Sequence, residues 1–173
     1  MNFKKITKNK GLAHELMTEG FTLIEVLIVI GIIAILASIV IVAINPARQF
    51  AQARNSQRIS NVNSILNAIG QNMVENKGIF TCTSGNAIID NTARNIEDLA
   101  NATDLKTDLR DCIAPIYIPE IPFDPSAGHF TSATDYDTKY TVTKDTTTGR
   151  ITVCAPGSIE EAIAGSTVIC VTR

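Results

Sequence analysis

The chain divides by the spacing of its apolar positions. From Val26 to Ile44 only Gly31 and Ser38 interrupt an aliphatic run. Nineteen residues at 1.5 Å per residue make a helix of roughly 28 Å, about the thickness of a bilayer's hydrocarbon core. Polarity changes at Pro46. Beyond it Ile59, Val62, Leu66, Ile69 and Met73 recur at spacings of three and four, flanked by Ile65. Arg48, Gln52, Asn55, Gln57, Asn61 and Asn63 fill much of the other face. This pattern predicts an amphipathic helix over Ala47–Asn76 that lays one face on a soluble domain. Lys77-Gly78 supplies its stop. Pro46 removes one backbone hydrogen bond, so a bend or melted stretch is expected near Ile44–Pro46 within one long helix, Phe21–Lys77, of roughly 85 Å if straight.

The rest of the chain reads as a mixed region and then as β. Ile79–Cys82 is short and apolar and reads as extended. Asn91–Ala102 suggests a short helix with Ile96, Leu99 and Ala100 inward, and Asp104–Ala114 a second one ending before Pro115. Three prolines between Tyr117 and Pro125 exclude helix and central strand there. Lys139–Lys144 and Arg150–Cys154 are rich in Thr, Val, Tyr and Ile, and Asp145–Gly149 between them is a hairpin turn. Ser158–Glu161 has the S-x-x-E spacing of a capping box, which predicts a short helix. Thr167–Thr172 reads as a last strand. The expected class is α+β: a long N-terminal helix packed against a small antiparallel sheet. The boundaries are 1–20 (leader), 21–45 (apolar helix), 46–77 (amphipathic half) and 78–173 (head).

At 173 residues the chain can hold one domain with a moderate core. The formal net charge is −2, which gives no reason to expect nucleic acid as a partner. All four cysteines, Cys82, Cys112, Cys154 and Cys170, lie beyond the apolar run. Their even number suggests two disulfides in an oxidising compartment. Of the three possible pairings, Cys82–Cys112, which would tie the connection to the end of the long helix, with Cys154–Cys170, on or beside neighbouring strands, is favoured; closing the two loops contributes ~3–4 and about 3 kcal/mol in the chain-entropy model. No C-x-x-C pair occurs, and the only histidine after residue 20 is His129, so no metal is expected.

The head of the apolar run carries the functional signal. Lys4, Lys5, Lys8 and Lys10 precede it. A secretory signal would be cut after the run, but no A-x-A-like site follows Val42. A cut after Gly20 would instead remove the basic leader, keep the apolar helix and free an α-amino group on Phe21. That leader carries four lysines and two glutamates, so its loss takes the formal charge from −2 to −4. Glu25 is the one carboxylate at the edge of the span, where it needs water, headgroups or a cation. In staggered parallel helices it could neutralise a neighbour's Phe21 amine. Gly31 and Ser38 would let such helices approach closely.

Gly20-Phe21-Thr22-Leu23-Ile24-Glu25 followed by the aliphatic run closely resembles the cleavage and methylation motif of type IV pilins and of type II secretion pseudopilins. The resemblance implies cleavage between Gly20 and Phe21 by a membrane-embedded prepilin peptidase, N-methylation of Phe21, and a pilin-like fold. It also implies a helical filament of identical or related pilin subunits, raised from membrane lipid by an inner-membrane assembly platform and its ATPase. Ile121-Pro122-Phe123-Asp124-Pro125 resembles the loop leading into the sheet in many such proteins. The leader is longer than is usual beside a mature N-terminal Phe. Lys4, Lys5, Lys8 and Lys10 against Arg48, Arg54 and Arg58 barely decide orientation. The cysteines and the resemblance put the leader in the cytoplasm and the head outside, on a single-pass inner-membrane protein that reaches a surface pilus.

No catalytic constellation is present. Glu160 and Glu161 are adjacent, so on a helix they do not share a face. His129 has no evident partner, and the spacing of Asp124, Asp135 and Asp137 is not that of an EF-hand loop. Lys139, Lys144 and Arg150 put positive charge on the hairpin, interleaved with aspartates. The expected function is a structural pilus subunit without cofactor. A secretion pseudopilin is the alternative within that class, and a membrane-tethered module binding DNA or a surface ligand is the alternative outside it.

Overall fold

A computed structural model describes residues 20–82, 87–98 and 105–173. Among the described residues the first unit, Met1–Ile44, holds one helix, α1, Leu23–Ile44. Its 22 residues would measure roughly 33 Å. It is apolar on every side, with a mean hydropathy of 3.4 and no buried residue. A helix apolar all round needs lipid or other helices for solvent. Its one hydroxyl, Ser38 Oγ, donates to the Ile35 carbonyl at 2.7 Å and so presents no unpaired donor.

The expected continuous helix is interrupted at Asn45. That residue is left-handed (φ 48°, ψ 80°), and its Oδ1 accepts from the Arg48 N–H. Pro46 stands at the first position of α2, Pro46–Glu75. Proline bars the residue before it from right-handed helix, and asparagine is both a tolerant left-handed residue and a strong N-cap. Asn45-Pro46 is therefore a fresh helix start as well as an obstacle.

The second unit spans Asn45–Arg173. α2 buries Val62, Ile65, Leu66, Ala68 and Ile69, a stripe centred one position round from the predicted one. Ile59 is 46% exposed, and the buried place beside it belongs to Arg58. Against this stripe lie β4 (Asp135–Lys144) and β5 (Ile151–Ala155), joined by the Asp145–Gly149 turn, with Gly149 at φ 71°. Alternation directs Tyr136, Tyr140, Val142, Ile151, Val153 and Ala155 inward. Each large aliphatic buried there contributes about 1.5–3 kcal/mol.

The remaining strands differ from the expected helices. Within Asn91–Ala102 the structure has β1, Arg94–Glu97, with Ile96 buried. Leu99 and Ala100 lie outside the described residues. Asp90 Oδ1 accepts from the Thr92 N–H, an Asx turn that sends the chain out extended. Within Asp104–Ala114 there are β2 (Lys106–Thr107) and a single helical turn, α3 (Arg110–Ile113). The sheet runs β2-β1-β4-β5-β6, with β6 at Ile169–Thr172 and β3 (His129–Ser132) also pairing β4. It is antiparallel except for the parallel β1–β2 pair. Instead of a helix at Ser158–Glu161 there is one 3-10 turn, Pro156–Ser158. Ser158 Oγ accepts from the Ile169 N–H at 2.7 Å and donates to the Thr167 carbonyl, holding the start of β6.

Candidate processing and assembly segment

Gly20 and Phe21 precede the first helical residue, Leu23, and both are exposed, Phe21 to 87%. Thr22 and Glu25 form the reciprocal contacts of a capping box. The Thr22 N–H donates to Glu25 Oε2 at 2.8 Å and its hydroxyl donates to the same oxygen at 2.7 Å, while the Glu25 N–H reaches back to Thr22 Oγ1 at 3.3 Å. Sequence reasoning missed this role of Thr22, although T-x-x-E is the spacing it applied at Ser158. Both bonds fall on Oε2, so Oε1 makes none among the described residues. The bond between residues 20 and 21 thus lies in non-helical chain directly outside a capped helix. The Glu25 carboxylate is held at the helix end, pointing toward that bond's side of the first turn. Gly31 has open space where a Cβ would stand, and Pro46 occupies the junction described above.

The head is tied to the first turns of α2 by charge. Arg58 and Asp124 are both about 1% exposed. Arg58 Nε donates to Asp124 Oδ2 at 2.6 Å and Nη2 to Oδ1 at 3.1 Å, a bidentate pair. The remaining donors reach Ser126 Oγ at 2.7 Å, Asn55 Oδ1 at 2.9 Å and Glu160 Oε1 at 2.5 Å. Arg54 adds a second fork to Glu160, Nε to Oε1 at 2.8 Å and Nη2 to Oε2 at 2.5 Å. Burial alone would raise the Asp124 carboxyl. The hydrogen bonds from Arg58 and Ser126 outweigh it and hold the group well below the usual carboxylate range. Glu160 is drawn down to about 2 by Arg54 and then Arg58. Gly157 covers the pair at a distance no side chain would allow comfortably: a Cβ there would stand 3.0 Å from Asp124 Oδ2.

Two disulfides brace the unit. Cys82 is bonded to Cys112 and Cys154 to Cys170, the latter directly opposite each other across β5 and β6. Beside the first, the buried Asn72 exchanges two hydrogen bonds with the Thr81 backbone, at 2.9 and 3.0 Å. The other candidate groups are not brought together. Asp124 is committed to Arg58, Asp137 lies 2.5 Å from the Lys139 ammonium, and Asp135 lies 3.4 Å from His129 in solvent. Among the described residues no group of three His, Cys, Asp or Glu side chains is placed to hold a metal. On the hairpin, Lys139 is neutralised by Asp137, which leaves Lys144 and Arg150 without an ion pair among the described residues.

Residues 17–41 match the family model for the prokaryotic N-terminal methylation motif. No curated protein and no solved structure matches the chain. The chain carries the prepilin motif of type IV pilins and pseudopilins, on an N-terminal apolar helix followed by a small mixed sheet.

Proposed function

We propose that this chain is the precursor of a structural subunit of a type IV pilus-like filament. One observation carries the reading: the methylation motif is continuous with a helix of mean hydropathy 3.4 that buries nothing within its own chain. In this reading a prepilin peptidase cuts between Gly20 and Phe21, and Phe21 is N-methylated. α1 holds the subunit in the inner membrane with the head outside, then exchanges lipid for the α1 helices of neighbouring subunits. The chain's own residues do three things. Thr22 caps α1 and orients the Glu25 carboxylate. Glu25 neutralises the Phe21 ammonium of a neighbour and so sets axial register. The Arg58–Asp124 pair and the two disulfides keep the head folded outside the cytoplasm, where it is decorated on the filament surface.

The test is the intact mass and N-terminal sequence of the chain from membranes containing a prepilin peptidase. A mature chain beginning with methylated Phe21 is expected. A chain that retains Met1–Gly20, beside a control substrate that is cut, overturns the reading. Filaments sheared from the cell surface would assign the subunit to a pilus. A requirement for it in protein secretion, with no surface filaments, would assign it to a pseudopilus.

A further inference from the structure

We propose that the head of the membrane-held subunit rests on the lipid surface through an apolar patch built from Phe50 and the Ile159–Ala162 loop. The inference rests on reading α1 as a membrane span. Phe50 is 66% and Ile159 60% exposed, large apolar side chains with no cover in the fold. With Ala47, Arg54, Glu161 and Ala162 they line an open cavity of about 460 Å3. The loop is not free to move away from α2. Glu160 is held by Arg54 and Arg58, and the Ser158 carbonyl accepts from Asn55 Nδ2 at 3.0 Å.

Chain length limits how far Phe50 can stand from the end of α1. Phe50 follows the last residue of α1, Ile44, by six positions. Two extended steps and one turn of α2 separate them by at most about 13 Å, whichever way α2 leaves the bilayer. A bilayer's interfacial layer extends roughly 5–8 Å beyond the hydrocarbon on each side. Side chains on a helix lean toward its N-terminus, so the Phe50 ring leans toward the start of α2. Ala47, Phe50 and Arg54 share one face at spacings of three and four, and that face carries the Ile159 loop. Arg48 is exposed and forms no ion pair among the described residues, which leaves a cation for lipid phosphate at the same level. Exposed Phe50 and Ile159 with an adjacent free cation have the composition of an interfacial anchor, with the exposed Glu161 carboxylate beside them. Entry into a filament would then require this patch to leave the lipid together with α1.

The chain contains no tryptophan, so single substitutions report depth cleanly. Full-length Phe50→Trp, Ile159→Trp and Ile116→Trp variants would be placed one copy per nanodisc of phosphatidylethanolamine and phosphatidylglycerol, with and without acyl chains brominated near the headgroup. Position 116 is the control. Its neighbour Tyr117 donates to Glu75 at the last residue of α2, the end remote from Phe50. At positions 50 and 159 we expect blue-shifted emission and at least twofold quenching by the brominated lipid, with no change at 116. A tryptophan at 159 quenched no more than one at 116, in a chain that has entered the discs, overturns this inference alone. Quenching that appears only with two or more copies per disc overturns it in favour of a subunit–subunit contact. A chain that does not enter the discs overturns the span and this inference together.

Discussion

Glu25 has two roles that its charge and its shape separate. As the third helical residue it completes the box with Thr22 at 2.7–2.8 Å, and as an anion it is proposed to meet a neighbour's amine. Glutamine keeps the first role and loses the second, because a side-chain amide oxygen still accepts from Thr22. Glu25→Gln and Glu25→Ala are therefore both expected to leave insertion and cleavage unchanged and to cut the yield of sheared filaments by about tenfold or more. That is the scale of removing one partner of a partly desolvated charge pair. Normal filament yield from Glu25→Gln would show that capping, and not charge, is what the position supplies. The motif residues were legible because they are contiguous. Arg58 was not: a buried arginine looks like a surface one in sequence, and its partner Asp124 stands 66 residues away.

At the level of elements, legibility followed period and length. α1 was visible because nineteen residues of one character outweigh any local preference, and the β4–β5 hairpin because alternation and a glycine-ended turn agree. The strands β1 and β2, four and two residues long, carry too few positions to show a period. They exist because Ile96 is buried by pairing with β4, a tertiary gain that overrides local helical preference. The junction at Asn45 departs from the expectation for another reason: a proline inside a helix is a flaw, but behind an asparagine cap it begins one. The Asn45 cap gives a measurable expectation. Asn45→Ala removes the Oδ1 acceptor of the Arg48 N–H at a cost of about 1 kcal/mol. Amide exchange at Ala47–Gln49 should quicken by about fivefold while exchange around Ile65–Ile69 stays as it was. Equal protection in both proteins would mean that the turn is held by something other than its cap.

For the molecule as a whole, the ion pairs make the head sensitive to acid, and the sign follows from the direction of the shifts. Asp124 lies well below the usual range, held there against burial by Arg58, and Glu160 lies down at about 2. In an unfolded chain both would titrate near 4. Between those limits the unfolded state binds more protons than the folded one, so acidification favours unfolding. The stabilisation is complete above about pH 5, the upper edge of carboxylate titration in the unfolded chain, and is lost as the pH falls toward 2. Thermal melts of the full chain in nonionic detergent should therefore show a midpoint that is flat from pH 7 to 5 and falls below that. Asp124→Asn alone leaves the Arg58 cation buried beside a neutral amide and should cost about 3–5 kcal/mol at neutral pH. Arg58→Met with Asp124→Leu removes both charges at similar volume, so much of that loss should be recovered. The double variant should also melt with a shallower dependence on pH below 5, retaining only the part due to Glu160 and Arg54. A double variant as acid-sensitive as the natural chain would mean that the buried pair is not what titrates. The acid sensitivity would then belong to the half-buried Asp90 and Glu120 and the exposed Asp145, whose arginine or backbone partners also hold them low.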